Sequence, residues 1–193
     1  MRHNNLRDAV ANLMKEVCVD VKIEPPLLPV KPNDYSNKSN TSEGARLDIS
    51  ACGVWSTFER TYFDIRVSHP HAASNVTLTL EELYHRNEKE KRDFYEERVI
   101  ESEKGSFAPM VFLTTGGAGP ACSEVLKRLA EKIAAKRNEQ YSHVISYIRT
   151  KLRFSLLRSV LISIRGVRGS VYKEQTLGHV SLNLTRNERN YEV

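Results

Sequence analysis

Residues 108–115 read Ala-Pro-Met-Val-Phe-Leu-Thr-Thr, a run without a single charge. A stretch this apolar and this short fits a buried strand, which other elements must cover, rather than a half-exposed strand with alternating faces. Gly116-Gly117-Ala118-Gly119-Pro120 ends the run and opens a helix over about 121–137. A second helix is expected over 142–165, where Ile145, Ile148, Leu152, Leu156, Val160 and Ile164 recur every three or four residues.

Upstream, Leu6, Val10, Leu13, Met14 and Val17 fall at helical spacing and predict a first helix over 6–18. Residues 20–28 alternate and then meet Pro25-Pro26, as a short strand running into a turn would. Residues 29–44, rich in Asn, Ser, Lys and Pro, predict a mobile loop. Two strands follow, over 45–51 and 61–68, joined by a hairpin connection with Gly53. Residues 69–76 read as a loop. Thr79 with Glu82 three residues on is a capping box, opening a polar helix that runs to about 103. Its apolar anchors are few: Leu83, Phe94, Val99 and Ile100. The predicted order is therefore α-β-β-β-α-β with two helices behind it, a mixed α/β or α+β class. One domain is expected over 1–169, with its core over 1–118 and basic helices over 120–169. Residues 170–193 are expected to form a loose polar tail.

The 193 residues carry 29 Lys+Arg against 24 Asp+Glu, a net charge of +5. The distribution matters more than the sum. Between Pro120 and Gly169 eleven basic residues face only Glu124, Glu131 and Glu139, which makes that segment +8 and the remainder −3. A basic segment beside an acidic body suggests a polyanion held next to a cation site. Within it Arg149, Lys151, Arg153, Arg158 and Arg165 form stripes opposite the apolar ladder, suited to backbone phosphates of DNA rather than to base edges. No run is long enough for a membrane span, and Met1–Asn5 lacks the apolar stretch of a secretory signal. Cys18, Cys52 and Cys122 are too scattered for a disulfide framework or a thiolate zinc site, so an intracellular chain without a disulfide partner is expected.

Asp48 and Asp64 are acids inside otherwise apolar predicted strands, where Asp is disfavoured. A buried carboxylate needs a cation, a metal or several donors. Hairpin pairing would bring the two acids to one edge, where they repel unless a cation lies between them. Mg²⁺ or Mn²⁺ suits that place, because Mg²⁺ takes one or two carboxylates and completes its shell with water and phosphate oxygens. Ion pairs with Arg46 or Arg66 are the plainer alternative. On the polar helix Glu88, Lys91 and Tyr95 share one face, with Tyr84 extending it. A lysine there can orient a metal-bound water or stabilise phosphoryl charge.

These residues together resemble a known family. Leu47-Asp48, Phe63-Asp64-Ile65-Arg66-Val67 and Glu88-Lys89-Glu90-Lys91 with Tyr95, in the α-β-β-β-α-β order, resemble the PD-(D/E)XK nuclease superfamily. Arg2-His3-Asn4 and the stretch 103–112 followed by Gly116-Gly117 narrow the likeness. They are similar to the restriction-like endonuclease domain at the C-terminal end of non-LTR retrotransposon polyproteins. The resemblance spans about residues 2–169. It implies a metal-dependent DNA endonuclease, with Asp48 and Asp64 as metal ligands, Lys91 as catalytic lysine, and Tyr95 and Glu88 beside it. It also implies a nuclear protein, cut off from the polymerase and zinc knuckle that precede such domains. Two departures stand out: Leu47 replaces the motif's proline, and Arg66 occupies the usual lysine position. Arginine cannot act as a base at neutral pH, so a migrated lysine, Lys91 or Lys89, must substitute. Without one, the domain would be a catalytically inactive DNA binder. Glu16 and Glu24 are further candidate acids.

Overall fold

A computed structural model describes residues 2–165. Helix α1 (Arg2–Val17) leads into strand β1 (Val19–Ile23), then β2 (Ile49–Cys52) and β3 (Arg60–Ser68). Helix α2 (Leu80–Arg98) follows, then β4 (Ser106–Leu113), α3 (Pro120–Arg137) and α4 (Tyr141–Arg165). The expected α-β-β-β-α-β order with two trailing helices is observed. The expected tail over 170–193 lies outside the described residues. No helix among the described residues is long and apolar enough to cross a membrane. Cys18, Cys52 and Cys122 are free thiols.

The four strands form one sheet in the order β1-β2-β3-β4, antiparallel until the last pair, which is parallel. Every residue of β4 from Phe107 to Leu113 is buried, as its composition predicts. β4 is an edge strand of this sheet, which tolerates Pro109 because an outer strand has one unpaired side. The period-two alternation of β3 divides the core. Phe63 and Ile65 join Ala108, Met110 and Phe112 beneath α1, α3 and α4. Tyr62 turns the other way, toward Tyr95 and Val99 on the α2 side, with Phe107 and Leu47. Asp64 shares the parity of Tyr62, so it meets α2.

Three expectations need correction. Asp48 does not lie inside a strand: β2 starts at Ile49, and Asp48 sits in the bend just before it, although its N–H still pairs with the Phe63 carbonyl at 3.1 Å. The polar helix is not α-helical to residue 103, because its last turn, Val99–Glu103, widens to a π-turn. Of the anchors that hydropathy picks, only Leu83 and Val99 are buried. Phe94 and Ile100 are exposed, whereas Leu83, Asn87, Tyr95, Arg98 and Val99 are buried.

The segment 29–44, expected to be mobile, is tied down by α2 and its π-turn. Leu28 N–H donates to Glu103 Oε1 at 2.6 Å, Ser36 N–H to Glu97 Oε2 at 3.0 Å, and Asn40 N–H to the Phe94 carbonyl at 2.8 Å. Arg98, 0% exposed, donates to the carbonyls of Leu28, Asn40 and Ser42. Polar composition predicts mobility only when the polar groups face water. Much of this segment faces water, but Ser36, Ser39, Asn40 and Ser42 meet donors and acceptors of α2.

Candidate functional site

Lys91 and Asp64 form the centre of the site. Lys91 projects from the third turn of α2, whose start is fixed by the predicted capping box of Thr79 and Glu82. Its Nζ lies 2.7 Å from Asp64 Oδ2 and 5.7 Å from the centre of the Tyr95 ring. Asp64 is 6% exposed. Burial pushes its carboxyl above the ordinary range, opposed by the Lys91 ammonium and reinforced by the nearby charge of Asp48. Among the described residues no donor besides the Lys91 ammonium meets Oδ2, and that charge-assisted contact leaves the oxygen's other lone pair without a partner. A hard cation can take that second position.

Asp48 is held from the other side of the sheet edge. Its Oδ2 accepts from Ile65 N–H at 2.6 Å and from His3 Nε2 at 3.0 Å. That same His3 nitrogen is 2.9 Å from the Ile65 carbonyl, so it must carry the proton. The hydrogen bond with Asp48 raises the His3 pKa above 6.5 against the cost of burial. His3 was legible in the sequence only as part of an opening motif, with no role attached; its long-range partners come from the fold. The sign of the resulting pH dependence is fixed. A raised histidine pKa means that the contact stabilises fully below pH 6.5 and is lost as pH rises through the raised value. The side chain is 40% exposed, which limits the contribution to at most about 1 kcal/mol. NMR titration of His3 should give a midpoint above 6.5, and Asp48→Asn should move it down.

The simpler ion pairs weighed from sequence do not occur. Arg66 pairs with Glu90 at 2.5 Å, and Asp64 takes Lys91 instead. Lys89 is exposed and so is not the lysine that meets the acids. The further candidate acids are engaged elsewhere: Glu16 with Arg137 and Glu24 with Arg7. Tyr95 is buried, its phenol pushed up first by burial and then by the charge of Asp64, so it remains neutral at pH 7.

Glu88 shares a helix face with Lys91 by spacing, yet its carboxylate serves another element. Its Oε1 accepts from Ala121 N–H at 3.0 Å and caps the first turn of α3. Gly119 allows this approach: a Cβ there would stand 2.5 Å from Glu88 Oε1. Helix α3 has no cap from its own Gly119, and Glu88 supplies it across the sheet edge.

The basic stripe of α4 divides in two. Arg149 and Arg153 border a cavity at the Gly116–Ala118 turn, while Lys151 and Arg158 border a groove shared with Asn5, Asp8 and Asn12 of α1. Arg165 ends the described part of α4. The residues between the stripes are not purely polar: Tyr147, Phe154, Leu157 and Leu161 are exposed too.

Among the described residues no three His, Cys, Asp or Glu side chains form a cluster able to hold an ion alone. An ion held in the other mode of Mg²⁺ binding, by two carboxylates with water and substrate oxygens, would draw on Asp48 and Asp64. No protein-family model matches this chain, nor does any curated protein or solved structure.

Proposed function

We propose that the chain is a PD-(D/E)XK-type endonuclease of retroelement origin that hydrolyses DNA phosphodiesters with Mg²⁺ or Mn²⁺. The observation that carries the reading is the convergence of Asp64, near Asp48, on Lys91 from separate elements laid out in the α-β-β-β-α-β order. Asp48 and Asp64 would hold the ion. When bound, it supplies an acidified water and offsets phosphate charge. Lys91 supports this chemistry as the only lysine or arginine ion-paired with Asp64 among the described residues. Its ammonium can orient the attacking water or donate to a non-bridging oxygen of the phosphate. His3 keeps Asp48 in place by donating to its Oδ2. Lys151 and Arg158, bordering the open groove beside α1, would hold the DNA by its phosphates, with little sequence preference. Such an activity belongs in the nucleus.

A second reading has its own support. Arg66 fills the usual lysine position and is engaged with Glu90, which suits a DNA-binding domain that has lost catalysis. Supercoiled plasmid separates the two. Nicking that requires a divalent cation and disappears in Asp64→Ala establishes the nuclease. Salt-sensitive DNA binding without nicking or metal uptake establishes the binder. Absence of DNA affinity at low salt removes both.

A further inference from the structure

The cavity bordered by Arg149 and Arg153 belongs to the opposite layer of the molecule from Lys91. Its volume is about 200 Å³, several times the ~30 Å³ that one water occupies. The floor is apolar, made by Phe112, Leu126 and Leu156 of the main core. The rim is cationic. Arg149 and Arg153 lie at i and i+4 on α4, an arrangement that like-charge repulsion disfavours. Neither guanidinium has a carboxylate within ion-pair distance among the described residues, although α4 crosses an acid-bearing body. Gly116 fixes one of them. It adopts a φ of +91°, and the Arg153 stem crosses it so closely that a Cβ would stand 3.2 Å from Arg153 Cγ. The arginine is thus laid over the turn and held at the cavity mouth.

Two guanidiniums without a carboxylate partner among the described residues, above an apolar floor, call for a ligand with a dianionic end and a flat or apolar body. A phosphodiester within a strand offers one charge and continues in both directions, which a small, partly enclosed cavity does not accommodate. A terminal phosphomonoester carries about −1.5 to −2 charges and three acceptor oxygens. We infer that this cavity binds a terminal phosphomonoester on a nucleoside, either a free mononucleotide or the 5′-phosphorylated end of a strand. The phosphate would bridge Arg149 and Arg153, and the base would lie against the Gly116–Ala118 turn at the edge of the apolar floor. The inference stands whether or not the carboxylate site is catalytic.

Calorimetry on the full chain tests it with adenosine 5′-monophosphate, adenosine and inorganic phosphate as probes. The monophosphate should bind about tenfold or more tighter than either fragment, since charge-assisted bonds and apolar burial each add to affinity. Arg149→Gln and Arg153→Gln should each weaken it about tenfold, with Arg153→Lys falling between. The double variant Lys151→Gln/Arg158→Gln removes twice that charge from α4 outside the cavity and should still leave binding within about twofold. Lys91→Met should leave it unchanged, which separates this site from the carboxylate site. Competition with short oligonucleotides identifies the source. Displacement by a 5′-phosphorylated strand but not its 5′-hydroxyl twin indicates strand ends, and displacement by neither indicates the free nucleotide. The inference is overturned if the monophosphate binds no tighter than adenosine, or if Lys151→Gln/Arg158→Gln weakens it as much as Arg149→Gln or Arg153→Gln does.

Discussion

Lys91→Met is expected to remove divalent-dependent nicking by about 10²–10⁴-fold and to cost about 3 kcal/mol of stability at pH 7. The two losses have different origins and can be separated. The stability loss arises because Asp64, 6% exposed, would keep a buried charge without its partner. The estimate sits at the lower end for a buried pair because Lys91 keeps 23% of its side chain in water. Its pH dependence follows from the direction of the Asp64 shift. A carboxyl whose folded pKa is raised binds more protons folded than unfolded, so above about 3.9 it lowers stability as pH rises to the raised value. Removing Lys91 raises that value further and widens the window. Urea denaturation should therefore show the deficit shrinking as pH falls from 7 toward 4. Asp64→Asn/Lys91→Met should regain most of the stability at pH 7, because no charge is left buried, yet remain inactive. A stable Lys91→Met protein with unaltered nicking would remove both the ion pair and the catalytic role.

Arg98→Met is expected to cost about 3–5 kcal/mol, measured by urea or thermal unfolding. Methionine keeps much of the apolar volume but supplies no donor, leaving the carbonyls of Leu28, Asn40 and Ser42 without theirs. Those carbonyls belong to the segment that runs on into Leu47 and Asp48. Its release should appear as new protease cleavage over residues 29–44 and as reduced nicking even where the fold survives. Arg98→Lys should recover only part of the loss. An ammonium is a single point donor, whereas the guanidinium bonds the Asn40 and Ser42 carbonyls through Nη1 and that of Leu28 through Nη2.

The difference between these two residues shows how much of the site was legible beforehand. Asp64 stood out because an acid inside an apolar strand violates the local pattern, and such violations mark function or a buried partner. Spacing placed Lys91 on one helix face with Glu88 and Tyr95, and its role over Lys89 came only from the family resemblance. Arg98 gave no such signal. A charged residue on a charged helix is ordinary, and only packing decides which member of the helix is enclosed. Glu88 misled for the same reason: spacing places it on the Lys91 face, but α3 reaches it first.

The sequence alone determined the element order, the buried character of β4 and the α2 cap, because each depends on interactions within a few residues. It also determined that two acids would need a positive partner, since burial cost is a property of the carboxylate. Which partner each acid found was decided only by tertiary structure. His3 and Asp48 are 45 residues apart, and Lys91 reaches Asp64 only because α2 crosses the face that Asp64 shares with Tyr62. Long-range pairing depends on how layers pack, and local spacing carries no record of that.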